Sequence, residues 1–129
     1  MASKNPVVWF EIYVSEMERA QAFYEAVLGI QCSKLPMPDE IQGNMMMAAF
    51  PMNMNGPGAS GALVKMDGFN AGGNSTIVYF HCDDCAVEES RVEKAGGKVF
   101  ETKHSIGEYG FISLAYDTEG NMFGLHSML

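Results

Sequence analysis

Residues 7–14, VVWFEIYV, alternate in the manner of an extended chain, with Phe10, Ile12 and Val14 on one face and Trp9, Glu11 and Tyr13 on the other. The first face is purely apolar, whereas the second sets a carboxylate among aromatic rings. In SEMERAQAFYEAVLG, residues 15–29, the positions Met17, Ala20, Phe23, Tyr24, Val27 and Leu28 recur at steps of three and four. That spacing predicts an amphipathic helix, with Ser15 as the expected N-cap and Gly29 as its stop. IQCSKLPM (30–37), MMMAAFPM (45–52) and GALVKM (61–66) read as three further strands, divided by PDEIQGN (38–44) and by the glycine-rich NGPGAS (55–60).

The same programme then returns. STIVYFHC (75–82) reads as a strand, DDCAVEESRVEKAGG (83–97) as a helix ending in a glycine pair, and KVFETKHS (98–105), YGFISLAY (109–116) and NMFGLHSM (121–128) as three strands. The last two are joined by the turn sequence DTEG (117–120). A shift of 68 lays Glu16 on Asp84, Met17 on Cys85, Glu25 on Glu93 and Gly29 on Gly97. The pattern predicts an α+β fold of two βαβββ modules in one domain over residues 1–129: module one at 6–66, a linker at 67–74 (DGFNAGGN) and module two at 75–129. Each sheet has one apolar face that needs a helix, so neither module is expected to stand alone.

Composition narrows the function. With 16 acidic and 8 basic side chains the net charge of -8 repels phosphate backbones and anionic lipid, so neither nucleic acid nor a membrane is an expected partner. There is no basic stretch leading an apolar one, and no run of membrane-spanning length. Three cysteines, Cys32, Cys82 and Cys85, are an odd number and too few for a disulfide scaffold, which fits a reducing compartment and a cytoplasmic location. Cys82 and Cys85 bracket two aspartates that disfavour a thiolate, so Asp83 or Asp84 is read as a helix cap and the pair is not read as a redox centre.

FEIYVSEMERAQAFYEAVLG, GASGALVKM, VYFHCDDC and GEYGFISLAYDTEGNMFGLHSM, taken in order, resemble the vicinal oxygen chelate superfamily of glyoxalase I, bleomycin-resistance proteins and extradiol dioxygenases. The resemblance covers nearly the whole chain and implies curved mixed sheets around a central cup, often completed in a homodimer. It also implies four metal-ligand positions, which fall here on Trp9, Gly61, Ile77 and Gly124. An indole offers only an N–H donor, and isoleucine and glycine offer no side-chain lone pair. No cofactor is therefore expected, the alternative being a displaced two-histidine, one-carboxylate site at Glu11, His81 and His126.

By alternation, Val78, Phe80, Cys82, Phe123 and Leu125 join the apolar face, while Ile77, Tyr79, His81, Met122, Gly124 and His126 join the face of Glu11. The expected catalytic residues are Glu11 as base, with His126 and Tyr79 as partners. The expected ligand contacts are Trp9, Tyr13, Ile77, His81, Met122, Gly124 and Met46. Plainer readings stand beside these. Glu11 as an edge ion pair, His126 as a solvated strand end and His81 as a local hydrogen-bonding group are all open; His104 is assigned no role. Five of the 11 methionines, Met45, Met46, Met47, Met52 and Met54, suit either an adaptable cavity wall or packing at a seam. Two functions follow: a binder whose acidic, aromatic-lined groove sequesters a cationic or planar small molecule, or a small-molecule lyase, isomerase or dioxygenase-type enzyme.

Overall fold

The computed structural model describes residues 5–36, 45–53 and 55–129; the expected turn at 38–44 and Met54 lie outside them. Eight strands and two helices follow in chain order: β1 (Phe10–Tyr13), α1 (Met17–Leu28), β2 (Ser33–Leu35), β3 (Met46–Ala49), β4 (Gly61–Lys65), β5 (Val78–His81), α2 (Cys85–Val92), β6 (Lys98–Ser105), β7 (Phe111–Tyr116) and β8 (Met122–Ser127). A 3-10 turn at Gly107–Tyr109 precedes β7. The strands form two four-stranded sheets, ordered β1-β4-β3-β2 and β5-β8-β7-β6. In each, the first strand pairs in parallel with the last and the remaining pairs are antiparallel. This is the expected α+β duplication, and the sheets do not close on one another.

Element ends depart from the sequence reading where a side chain captures the backbone. The strand expected over 30–37 is reduced to Ser33–Leu35, because the amides of Ile30 and Cys32 donate to the carbonyl and the side chain of Glu25. Ser15 does not cap α1. Glu16 occupies the N-cap position without a side-chain bond, and the amides of Ser15 and Glu16 both donate to Glu119 Oε1 at 2.9 Å. Gly29 ends the helix as expected, in the left-handed conformation at φ 67°. Asp84 caps α2 by accepting from Ala86 N at 3.0 Å. That helix stops at Val92, since the amides of Ala95 and Gly97 turn back onto Val92 O.

The apolar faces meet in one core. Ile12, Val14, Phe23, Val27, Leu63, Cys82, Phe123 and Leu125 are all buried in it. Tyr24 of α1 stands at its centre, its ring centroid 5.7 Å from Phe50, 5.8 Å from Phe80 and 5.4 Å from Phe123, so the first helix packs on rings of both sheets.

Candidate functional site

Parallel pairing with β4 leaves β1 as an edge strand, and its alternation decides which groups remain free. Val14 N donates to Val64 O, so the main-chain groups of Glu11 and Tyr13 turn away from β4 toward the second sheet. Asn121, which immediately precedes β8, reaches across and donates from Nδ2 to Tyr13 O at 2.9 Å. Between β1, the start of β8 and residues 70–76 lies a cleft of about 460 Å³. Phe10, Ile12, Tyr24 and Val78 form its apolar floor, and Glu11, Tyr13, Asn70, Asn74, Asn121 and Met122 its polar rim.

Glu11 dominates the rim. Its carboxylate accepts from Tyr13 OH at 2.7 Å and from Trp9 Nε1 at 3.3 Å, three side chains of a single strand face. The bond to Glu11, with burial and the nearby negative charge, raises the Tyr13 pKa and keeps the phenol a donor. The Tyr13 ring stacks on Phe69 with centroids 4.9 Å apart. Behind the floor lies a second carboxylate, Asp117, which is 4% exposed. It accepts from Tyr24 OH at 2.7 Å, from Asn121 Nδ2 at 3.1 Å and from the amides of Glu119 and Asn121. Burial, then the charge of Asp117, pushes the Tyr24 phenol well above its ordinary pKa. Among the described residues no lysine, arginine or histidine lines the cleft, so none of them gives Glu11 a counter-charge there.

Of the expected site residues, the cleft gathers Glu11, Tyr13 and Met122, with Trp9 touching it through Glu11. Ile77, Tyr79 and Met46, the last at the start of β3, are all exposed, and none of them lines the cleft. The Tyr79 ring lies over its register partner Gly124, where a Cβ would collide with it. His126 points its Nε2 at Tyr109 O, 2.7 Å away, and His81 faces solvent 3.8 Å from Asp83. A second cavity of about 480 Å³, lined mainly by Phe10, Leu28, Ile30, Phe50 and Phe80, has Ser60 and His81 as its polar side chains. Sequence reading missed Asn70, Asn74 and Asn121. The clustering of asparagine and glycine in DGFNAGGN is the available signal for Asn70 and Asn74, and by composition alone it reads as a connector; Asn121 has no such signal.

Metal chemistry finds no donors at the positions the resemblance implies. One of them shifts: Gly61 pairs with Phe10 and so shares the core face, and the position level with Glu11 is Ala62, also without a lone pair. Trp9 Nε1 is committed to Glu11, and the glycines sit against Phe10 and the Tyr79 ring. Among the described residues no three His, Cys, Asp or Glu side chains converge, so Glu11, His81 and His126 are not brought together. Nor is any helix of the described residues long and apolar enough to cross a membrane.

Comparison with known proteins agrees with this architecture. Residues 7–47 match the family model described as bleomycin resistance protein-like N-terminal. TnmS3, an antibiotic binding protein from Streptomyces sp. CB03234, superimposes with a TM-score of 0.68 at 22% identity, over 98% of each chain. A member of the glyoxalase/bleomycin resistance protein/dioxygenase superfamily from Sphaerobacter thermophilus gives 0.67 at 22% identity, over 96% of this chain and 98% of that one. A glyoxalase I variant from Zea mays gives 0.74 at 20% identity; 95% of this chain is covered, but it spans only 46% of the maize protein. No curated protein matches in sequence. The chain is thus similar in fold to solved structures of the glyoxalase/bleomycin resistance protein/dioxygenase group, and its residues 7–47 are similar in sequence to the bleomycin resistance protein-like N-terminal family.

Proposed function

We propose that the protein binds a small organic molecule in the cleft beside β1 without a divalent metal, and that the preferred ligand is planar and cationic. The observation that carries this reading is the Glu11 carboxylate, which faces the cleft with tyrosine and tryptophan donors but, among the described residues, no cationic side chain in the lining. A ligand cation would supply the missing counter-charge, whereas an anion would meet none. Asn70 on the rim offers a carboxamide for the ligand's polar groups, and the floor offers apolar contact for a ring. An enzymatic reading has weaker support, because Tyr79 and His126 do not share the cleft with Glu11.

A second copy of the chain completes this reading. Trp9, Ile77 and Tyr79 share the strand faces away from the core and, with Val7 and Val8, remain substantially exposed, an apolar band suited to a homodimer contact. Thermal-shift measurements with proflavine, a planar cation, and fluorescein, a planar anion, in the presence of a chelator test the proposal. Stabilisation by proflavine alone is the expected result; stabilisation that appears only with nickel or zinc would overturn it.

A further inference from the structure

The duplication places two equivalent clefts at opposite ends of the β1 and β5 edges, and they differ at one matched position of their linings. Phe10 pairs with Gly61 in one sheet as Val78 pairs with Phe123 in the other. Three residues before those partners stand Gly58 and Gly120, in matching left-handed conformations at φ 81° and 84°. The residues between them and the strands then differ. Ala59 lines the second cavity, and Asn121, at the equivalent point, lines the polar cleft.

Asn121 makes three side-chain bonds to three separate segments. Its Oδ1 accepts from Gly72 N in the linker at 2.6 Å, and its Nδ2 donates to Tyr13 O on the edge of β1 and to Asp117 Oδ2 in the turn before β8. The linker passes over the cleft like a strap. Asn74 ties its far end to Met122, donating to the carbonyl and accepting from the amide, while Phe69 stacks on Tyr13 at its near end. Gly68, Gly72 and Gly73 have φ of 88°, 81° and 60°, a left-handed run that a chain without glycine would resist. The Asn121 carboxamide therefore ties the middle of the strap to the strand bearing Glu11.

Building on the ligand-binding reading above, we propose that Asn121 is the positioning residue of the cleft. It sets the distance between the strap and β1, and through it the affinity for ligand. Ala59 shows what the same turn does without a carboxamide: it lines a cavity with no polar bridge of this kind from that position.

The test compares Asn121→Ala, which installs the residue of the twin turn, with Asn121→Asp, which keeps an acceptor for Gly72 but has no donor for Tyr13 O. Amide hydrogen exchange at Gly72 and dialysis binding of proflavine and of neutral acridine are measured well below each variant's melting temperature. The expected result is exchange at Gly72 about tenfold faster in Asn121→Ala and near wild type in Asn121→Asp, with acridine affinity at least tenfold weaker in both. Should Asn121→Ala fail to fold, Asn121→Asp alone still carries the test, by a protected Gly72 beside a weakened acridine affinity. Lower melting temperatures with unchanged Gly72 protection and unchanged affinity would overturn the proposal and leave Asn121 a stability residue. If wild type binds neither compound, the ligand-binding reading fails, and unchanged Gly72 exchange in Asn121→Ala would then overturn the strap assignment as well.

Discussion

Burial alone would raise the carboxyl pKa of Glu119, yet it is held down at about 2 by the Arg19 guanidinium, the Glu16 amide, the Thr118 hydroxyl and the Ser15 amide. Its folded pKa lies below the ordinary 4.5, so its contribution to stability is complete above that value and is lost as pH falls from about 4.5 toward 2. Arg19 is half exposed, and much of the ion pair is screened; the capping bonds carry the larger share. Replacing Glu119 by Gln should cost about 1 to 2 kcal/mol at pH 7, the scale of a lost helix cap. Urea titrations at pH 7 and pH 3 check this, since the gap between variant and wild type should narrow in acid. Tyr24→Phe removes a donor from the buried Asp117 and should cost about 1 to 3 kcal/mol by the same measurement. Neither effect was legible in the sequence, because Glu119 and Asp117 lie about a hundred residues from the groups they serve.

Helix α1 depends on the second half of the chain at both ends. Glu119 takes the amides of Ser15 and Glu16 that lead into its first turn, and Arg91 of α2 donates from Nη1 to Val27 O at 3.1 Å in its last turn. With Tyr24 packed among Phe50, Phe80 and Phe123, the sheets share a helix and a core. The chain should therefore unfold in one transition, with calorimetric and van't Hoff enthalpies equal. Two transitions, one for each sheet, would show that the shared core does not couple them. The type and order of the described strands and α-helices were readable from periodicity, since alternation and the three-four stripe depend only on local side chains, whereas the 3-10 turn at Gly107–Tyr109 was not. Element ends were not. The strand predicted from Ile30 loses its start to the Glu25 carboxylate, and Ser15 loses its capping role to Glu119, competitions that no local pattern records.

At the scale of the whole molecule, the orientation of the strand faces was legible: Phe10, Ile12 and Val14 face the core, and Glu11 faces the cleft. The cleft itself was harder to read, because it lies at the free edges of β1 and β5 and takes its rim from the linker and the turn before β8. A search along strand faces therefore found Glu11, Tyr13 and Met122 but passed over Asn70, Asn74 and Asn121. The exposed band of Trp9, Ile77 and Tyr79 predicts a dimeric mass by light scattering, and Tyr79→Glu, which buries a charge at that contact, should shift the mass to that of a monomer. Trp9 is the chain's one tryptophan and is hydrogen-bonded to Glu11, so its emission reports on the cleft directly. Titrating wild type and Glu11→Gln with proflavine in chelator should give a saturable change in that emission for wild type and an affinity at least tenfold weaker for the variant. Equal affinities for the two proteins, or a response in wild type only after a divalent metal is restored, would contradict a metal-free cation site at Glu11.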